Sequence, residues 1–139
     1  MRLEVSGVVD QGIDQVWSFL SDPATAPRWD RSIAEVIPHS TGAPGVGWEA
    51  TTVSPDGKRQ RFRISHYRPP TGFAFVLLES SMFRYAELRF QLEPMTPGTR
   101  ITHTIDLRLR NPLLKPILRA VSRRALARDF EALTAALRD

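Results

Sequence analysis

The side chains best suited to chemistry in this chain are two histidines and a tyrosine, each on a segment whose residues alternate in character. His103 lies within residues 100–110, where Ile101, His103, Ile105, Leu107 and Leu109 alternate with Arg100, Thr102, Thr104, Asp106, Arg108 and Arg110. A strand with this pattern carries the histidine on its apolar face. Burial there disfavours the charged imidazole and leaves a neutral ring that can take a proton or hydrogen-bond a ligand oxygen. The competing reading is a core histidine satisfied by a single neighbour. His66 shares the parity of Phe62 and Ile64 on residues 58–67, so it is expected to look inward where the strand ends at Arg68-Pro69-Pro70. No inward Asp or Glu stands beside either histidine, and His39, next to Pro38, is expected to face solvent. No metal site and no cofactor are expected.

Tyr85 depends on a question of parity. Counting back from Leu88 through Ala86 puts Met82 and Arg84 on the apolar face, and Phe83 and Tyr85 on the polar one. Either Arg84 is an inward cation with an anionic partner, or a bulge reverses the parity and brings both aromatics into the interior. The bulge is preferred, because two aromatic rings are cheaper to bury than an unpaired guanidinium. Tyr85 would then offer a phenol to a ligand oxygen, and His103 and Tyr85 are the catalytic candidates. The surrounding apolar residues Phe62, Ile64, Phe75, Leu88, Phe90 and Ile105 are candidate ligand contacts, with plain core packing as the alternative for each.

The elements that must position these groups follow from periodicity. Residues 3–9 read as a strand whose alternation weakens near Gly7. In residues 14–20, Val16, Phe19 and Leu20 fall at helical spacing, with Ile13 and Trp17 widening the stripe. Asp22-Pro23 caps and opens a second short helix ending near Trp29, and Trp17 and Trp29 are expected to pack these helices on the sheet. From residue 32 the period becomes two, over 32–38, 47–53, 58–67, 73–79, 82–93 and 100–110. Turn signals at Gly42-Ala43-Pro44-Gly45, Ser54-Pro55-Asp56-Gly57, Ser80-Ser81 and Pro94-Met95-Thr96-Pro97-Gly98 separate most of them. Gly45-Val46-Gly47-Trp48 reads as a tight turn into a strand rather than a phosphate loop, since no helix follows it. After Asn111-Pro112, Leu114, Leu118, Val121, Leu126, Phe130, Leu133 and Leu137 keep near helical spacing, with Arg119, Arg123, Arg124 and Arg128 on the other side. The helix is expected to lay this stripe on the sheet, over Leu88, Phe90, Ile105 and Leu107, with a few-hundred-Å³ cavity between helix and sheet.

Composition narrows the classes. A chain of 139 residues, 42% hydrophobic and 24% charged, is expected to be one domain spanning residues 1–139. It has no cysteine, which excludes disulfides and thiolate chemistry. The start Met1-Arg2-Leu3-Glu4-Val5 carries an acid and no apolar leader follows, so a cytoplasmic location is expected. A net charge of +4 invites nucleic acid or anionic lipid, but the basic residues are dispersed and no aromatic–basic interleaving accompanies them. No nucleic-acid partner is expected. The arginines of the last helix read as a solvated face, with peripheral contact to anionic lipid as the lesser alternative. A monomer or a homodimer is compatible with the sequence.

This order of elements resembles the helix-grip fold of the START-related and birch-pollen-allergen-like superfamily, and within it the polyketide cyclase/dehydrase-like branch. The resemblance runs over essentially the whole chain. Its most specific part is Val16-Trp17-Ser18-Phe19-Leu20-Ser21-Asp22-Pro23 followed by Pro27-Arg28-Trp29. It implies an α+β domain in which a curved seven-stranded antiparallel sheet wraps around a long C-terminal helix, with two short helices after the first strand. It further implies a hydrophobic small-molecule partner, lipid-like, polyketide or aromatic, held between sheet and helix by a carrier or sensor. The alternative it implies is an enzyme of cyclase, dehydratase or isomerase type acting on an oxygenated hydrophobic substrate.

Overall fold

The computed structural model describes residues 1–138. Its elements in chain order are β1 (Arg2–Val9), α1 (Ile13–Leu20), α2 (Ala26–Trp29), β2 (Glu35–Pro38), β3 (Glu49–Val53), β4 (Arg59–Arg68), β5 (Gly72–Leu78), β6 (Phe83–Pro94), β7 (Thr99–Leu109) and α3 (Lys115–Arg138). All seven strands join one antiparallel sheet in the order β1-β7-β6-β5-β4-β3-β2, so the first strand closes onto the last. This is the arrangement of strands and helices that the resemblance implied.

Local chemistry explains most of the framework. Asp22 accepts a hydrogen bond from the Ala24 backbone N–H at 3.0 Å, capping the 3-10 turn Pro23–Thr25 that leads into α2. Gly47, at φ +90°, makes the tight turn into β3, and its N–H donates to the Ile64 carbonyl at 2.8 Å. Strands β6 and β7 are 12 and 11 residues long. Their inner residues Leu88, Phe90 and Leu92 stand directly opposite Ile105, His103 and Ile101. Such pairs are the unit of sheet stabilisation.

The main core lies where α1, α2 and the end of α3 meet the sheet, joining Val16, Leu20, Trp29, Phe73, Phe90, Ile101, Leu133 and Leu137. Trp17 packs edge-on against Tyr67 and Phe73, and Trp29 against Phe90. The break in alternation at Gly7 has a steric cause: a Cβ there would lie 2.7 Å from the Phe130 ring. The helix therefore sits almost on the β1 backbone. A second cluster of Trp48, Ala50, Phe62 and Ile64 occupies the other end of the sheet.

Helix α3 departs from the single apolar stripe expected of it. Leu126, Leu133 and Leu137 are buried and Phe130 half-buried, but Leu118 is only half-buried and Val121 is 59% exposed. In the sheet, Phe90 and Leu107 are buried while Leu88 and Ile105 stay half-buried. The cause lies in the spacing. Leu114, Leu118, Val121 and Ala125 form one ladder of steps four, three, four, and Leu126, Phe130, Leu133 and Leu137 form another. The ladders are offset by twelve residues, which at 3.6 residues per turn rotates one against the other by roughly a third of a turn. One helix cannot press both on the same sheet, and the second ladder is the one that docks.

Candidate functional site

An internal cavity of about 80 Å³ lies on the concave face of the sheet. Its floor is made by Phe62, Ile64, Phe75, Leu88, Phe90 and His103 from β4 to β7, six of the residues expected to contact a ligand. Its roof is the segment from the end of α1 to the start of β2, through Leu20, Pro23, Ala26, Trp29, Asp30 and Ile33. No α3 residue lines it, so the cavity lies between the sheet and the α1–α2 corner rather than between sheet and C-terminal helix. The volume is also below the few hundred Å³ expected and below the ~300–1,000 Å³ of a typical small-molecule site. A ligand larger than a few atoms would require the corner to move away from the sheet.

His103 is the polar centre of this cavity. Its ring is 6% exposed and stacks on Phe90 with centroids 4.1 Å apart and planes 10° from parallel. Its Nε2 is buried and, among the described residues, has no hydrogen-bond partner. Burial pushes its pKa down to about 4, so the ring is neutral near pH 7. Trp29 brings a second such atom, since its Nε1 is buried without a partner among the described residues. Phe90 thus holds an imidazole against its face and an indole at 5.6 Å, edge to face. An unpaired buried donor or acceptor costs about 1–3 kcal/mol. Both residues line the same cavity. The sequence assigns Trp29 to packing alone; the structure also places it in the cavity roof, and an indole closing a short helix over an apolar floor is the available signal.

Three expected contacts lie elsewhere. His66 does not look inward, because the β4–β5 register shifts between Ile64 and His66. The extra residue, Ser65, reverses the parity, so Tyr67 packs against the core and His66 joins a groove with Arg68, Arg89 and Gln91. The bulge expected near Arg84 exists, between Phe83 and Tyr85, but it leaves Tyr85 outside. Phe83 pairs with Leu109 at inner-face parity, and Arg84 is exposed. The Tyr85 hydroxyl donates to Glu87 Oε2 at 2.6 Å, and this bond pushes the phenol up to about 12. Held by a carboxylate on the outer face, with the Arg108 guanidinium 5.7 Å from its ring centroid, it has no access to the cavity. Ile105 lies between Leu3 and Leu88 in the sheet and does not line the cavity. The catalytic pair of His103 and Tyr85 therefore does not assemble.

A family model described as "Polyketide cyclase / dehydrase and lipid transport" matches residues 1–139. The search of curated proteins returned no match. Among solved structures, the chain is similar to the protein MLL2253 from Mesorhizobium loti, with a TM-score of 0.79 at 15% identity over 99% of this chain and 96% of that one. It is similar to Ara h 8.0201, with a TM-score of 0.76 at 13% identity, covering 99% and 97%. The di-domain ARO/CYC StfQ from the steffimycin biosynthetic pathway gives 0.76 at 14% identity, over 99% of this chain and 50% of that one. At these identities the likeness is one of fold.

Proposed function

The chain belongs to the polyketide cyclase / dehydrase and lipid transport family, and from that premise we propose that it binds a hydrophobic small molecule bearing an oxygen, as a cytoplasmic carrier or sensor. The observation that carries this reading is the pair of unpartnered polar atoms, His103 Nε2 and Trp29 Nε1, on residues of a cavity lined mostly by aromatic and aliphatic side chains, with Asp22 and Asp30 in its roof. The indole N–H donates to a ligand carbonyl or hydroxyl, and the neutral imidazole accepts from a hydroxyl or donates to a carbonyl, according to its tautomer. Apolar walls supply most of the affinity and the two polar atoms fix orientation.

A cyclase- or dehydratase-type reaction is the second reading. It is favoured by one observation: a buried, neutral imidazole with a free nitrogen is a competent proton acceptor. Burial alone sets this imidazole's pKa, with no carboxylate contributing, and the ring is positioned by stacking on Phe90. Asp30 in the cavity roof is a second titratable group, but its Oδ1 accepts from the Ser32 N–H and hydroxyl, and an imidazole with no orienting partner suits binding better than turnover.

The test is displacement of an environment-sensitive apolar dye. Aromatic ligands carrying a hydroxyl or carbonyl should bind at least about tenfold more tightly than their hydrocarbon counterparts, and His103→Ala should remove most of that difference. Equal affinity for both ligand types, or no dye binding at all, sinks the proposal.

A further inference from the structure

We propose that the first half of α3, with the turn before it, is a docking surface for an anionic lipid bilayer. Between Asn111 and Val121 every residue except the half-buried Leu118 is exposed, and this includes Leu113 at 84%, Ile117 at 67% and Val121 at 59%. Met82 joins them at 50% exposure, because the Arg110 N–H donates to its carbonyl at 3.1 Å and the Arg110 Nε–H to that of Ser80 at 3.0 Å. Large aliphatic side chains gathered at one end of a domain and left in water need an occupant.

Charge decides which occupant. Between Asp106 and Asp129 the chain has seven basic residues and no acid, so the rest of the molecule is net acidic although the whole is +4. Among the described residues none of these basic side chains is in an ion pair. Ile117 and Val121 share the outward face with Arg124 and Arg128 in steps of four, three and four. That face presents aliphatic side chains at its start and guanidinium groups further along, the composition of a helix lying in the headgroup region with its apolar residues below the phosphates. The protein's own sheet cannot cover this face while Leu126, Phe130, Leu133 and Leu137 stay docked, because Ile117 lies nine residues before Leu126, about half a turn round the helix. A second copy would bring a like-charged surface against it, and a nucleic acid would leave Ile117 and Val121 without a role. The inference does not depend on the ligand in the cavity.

The experiment is sedimentation of the full chain with phosphatidylcholine vesicles, with and without phosphatidylglycerol. The protein should pellet with the anionic vesicles, be released by salt, and stay in solution with phosphatidylcholine alone. Arg124→Gln and Arg128→Gln together should weaken partitioning about twenty-five-fold, at about fivefold for each charge. Ile117→Gln with Val121→Gln should weaken it at least about tenfold, both variants keeping the wild-type thermal transition because the residues are exposed. Three results would overturn the proposal: no pelleting with anionic vesicles, equal pelleting with both kinds, or wild-type binding by the Ile117/Val121 variant. A concentration-dependent dimer that this variant abolishes, without lipid binding, would assign the face to a second copy of the chain instead.

Discussion

The two halves of α3 are built from the same spacing of apolar residues, yet one is core and the other stands in water. Leu133 and Leu137 join the main core with Val16, Trp29 and Phe90, Leu126 is buried, and Phe130 rests on β1 at Gly7. Ile117 and Val121, a few turns earlier on the same helix, and Leu114 in the turn before it are exposed. Hydrophobicity and helix propensity do not separate the halves; phase does. Periodicity establishes that a segment is an amphipathic helix, whereas the angle between successive ladders establishes how much of it a single sheet can cover.

The largest effect that tests this contrast is on stability. Leu133 is 1% exposed, and Leu133→Ala should cost about 2–5 kcal/mol in a denaturant titration, through lost burial and the cavity left behind. Val121→Ala, on the same helix, should change stability by less than about 0.5 kcal/mol. Comparable losses at both positions would mean that the first half is docked in solution, and the contrast would be gone.

A pH titration sharpens the same contrast, because His103 stacks on Phe90, a member of the cluster that Leu133 seals. The imidazole's pKa falls from about 6.5 in the unfolded chain to about 4 in the native one. Below pH 6.5 the unfolded chain therefore binds a proton that the native chain refuses. The stability contribution is fully present above about 6.5 and is lost as pH falls towards 4, at about 1.4 kcal/mol per pH unit and about 3 kcal/mol in all. His103→Phe keeps an aromatic ring on Phe90 and should abolish this slope, measured as the difference between variant and wild type. An unchanged slope would mean that the ring is hydrated and the cavity end of the core is open.

Where sequence reading succeeded, each residue's environment followed from its own strand. The clean alternation of β6 and β7 placed Leu88, Phe90 and His103 on the concave face, where all three line the cavity. It failed where one extra residue reverses parity. Ser65 in β4 turns His66 outward, and Arg84 in β6 leaves Tyr85 outside, although the need for a bulge near Arg84 was legible from the cost of burying its charge. Nothing comparable flags Ser65, because outward His66 and inward Tyr67 are as acceptable chemically as the reverse. The roof was missed for another reason: Trp29, Asp30 and Ile33 reach the cavity only through the way the α1–α2 corner folds over the sheet, which is a tertiary event. The rotation within α3, by contrast, was present in the spacing, as the five-residue step from Val121 to Leu126.

The smallest effect concerns where the docked half of α3 begins, and Asp129 reports on it. Its carboxyl is pushed up to about 6, first by burial and then by the charge of Asp30 on the neighbouring corner, with Arg128 and Arg31 pulling the other way. A carboxyl whose native pKa lies above its unfolded value of about 3.8 holds its proton more tightly in the folded chain. Its stabilising contribution is present at low pH and is lost as pH rises through about 6, opposite in sign to that of His103. Asp129→Asn should therefore be near neutral around pH 4 and stabilising above about 6. The side chain is only half-buried, so solvent screening keeps the gain below about 1 kcal/mol. The measurement is the difference in denaturation midpoint between variant and wild type across that range. A gain that grows with pH places Asp129 inside the contact between α3 and the corner that roofs the cavity. A difference independent of pH would place it with the solvated half, moving the start of docking to Phe130 and leaving Asp30 free of any carboxylate opposite.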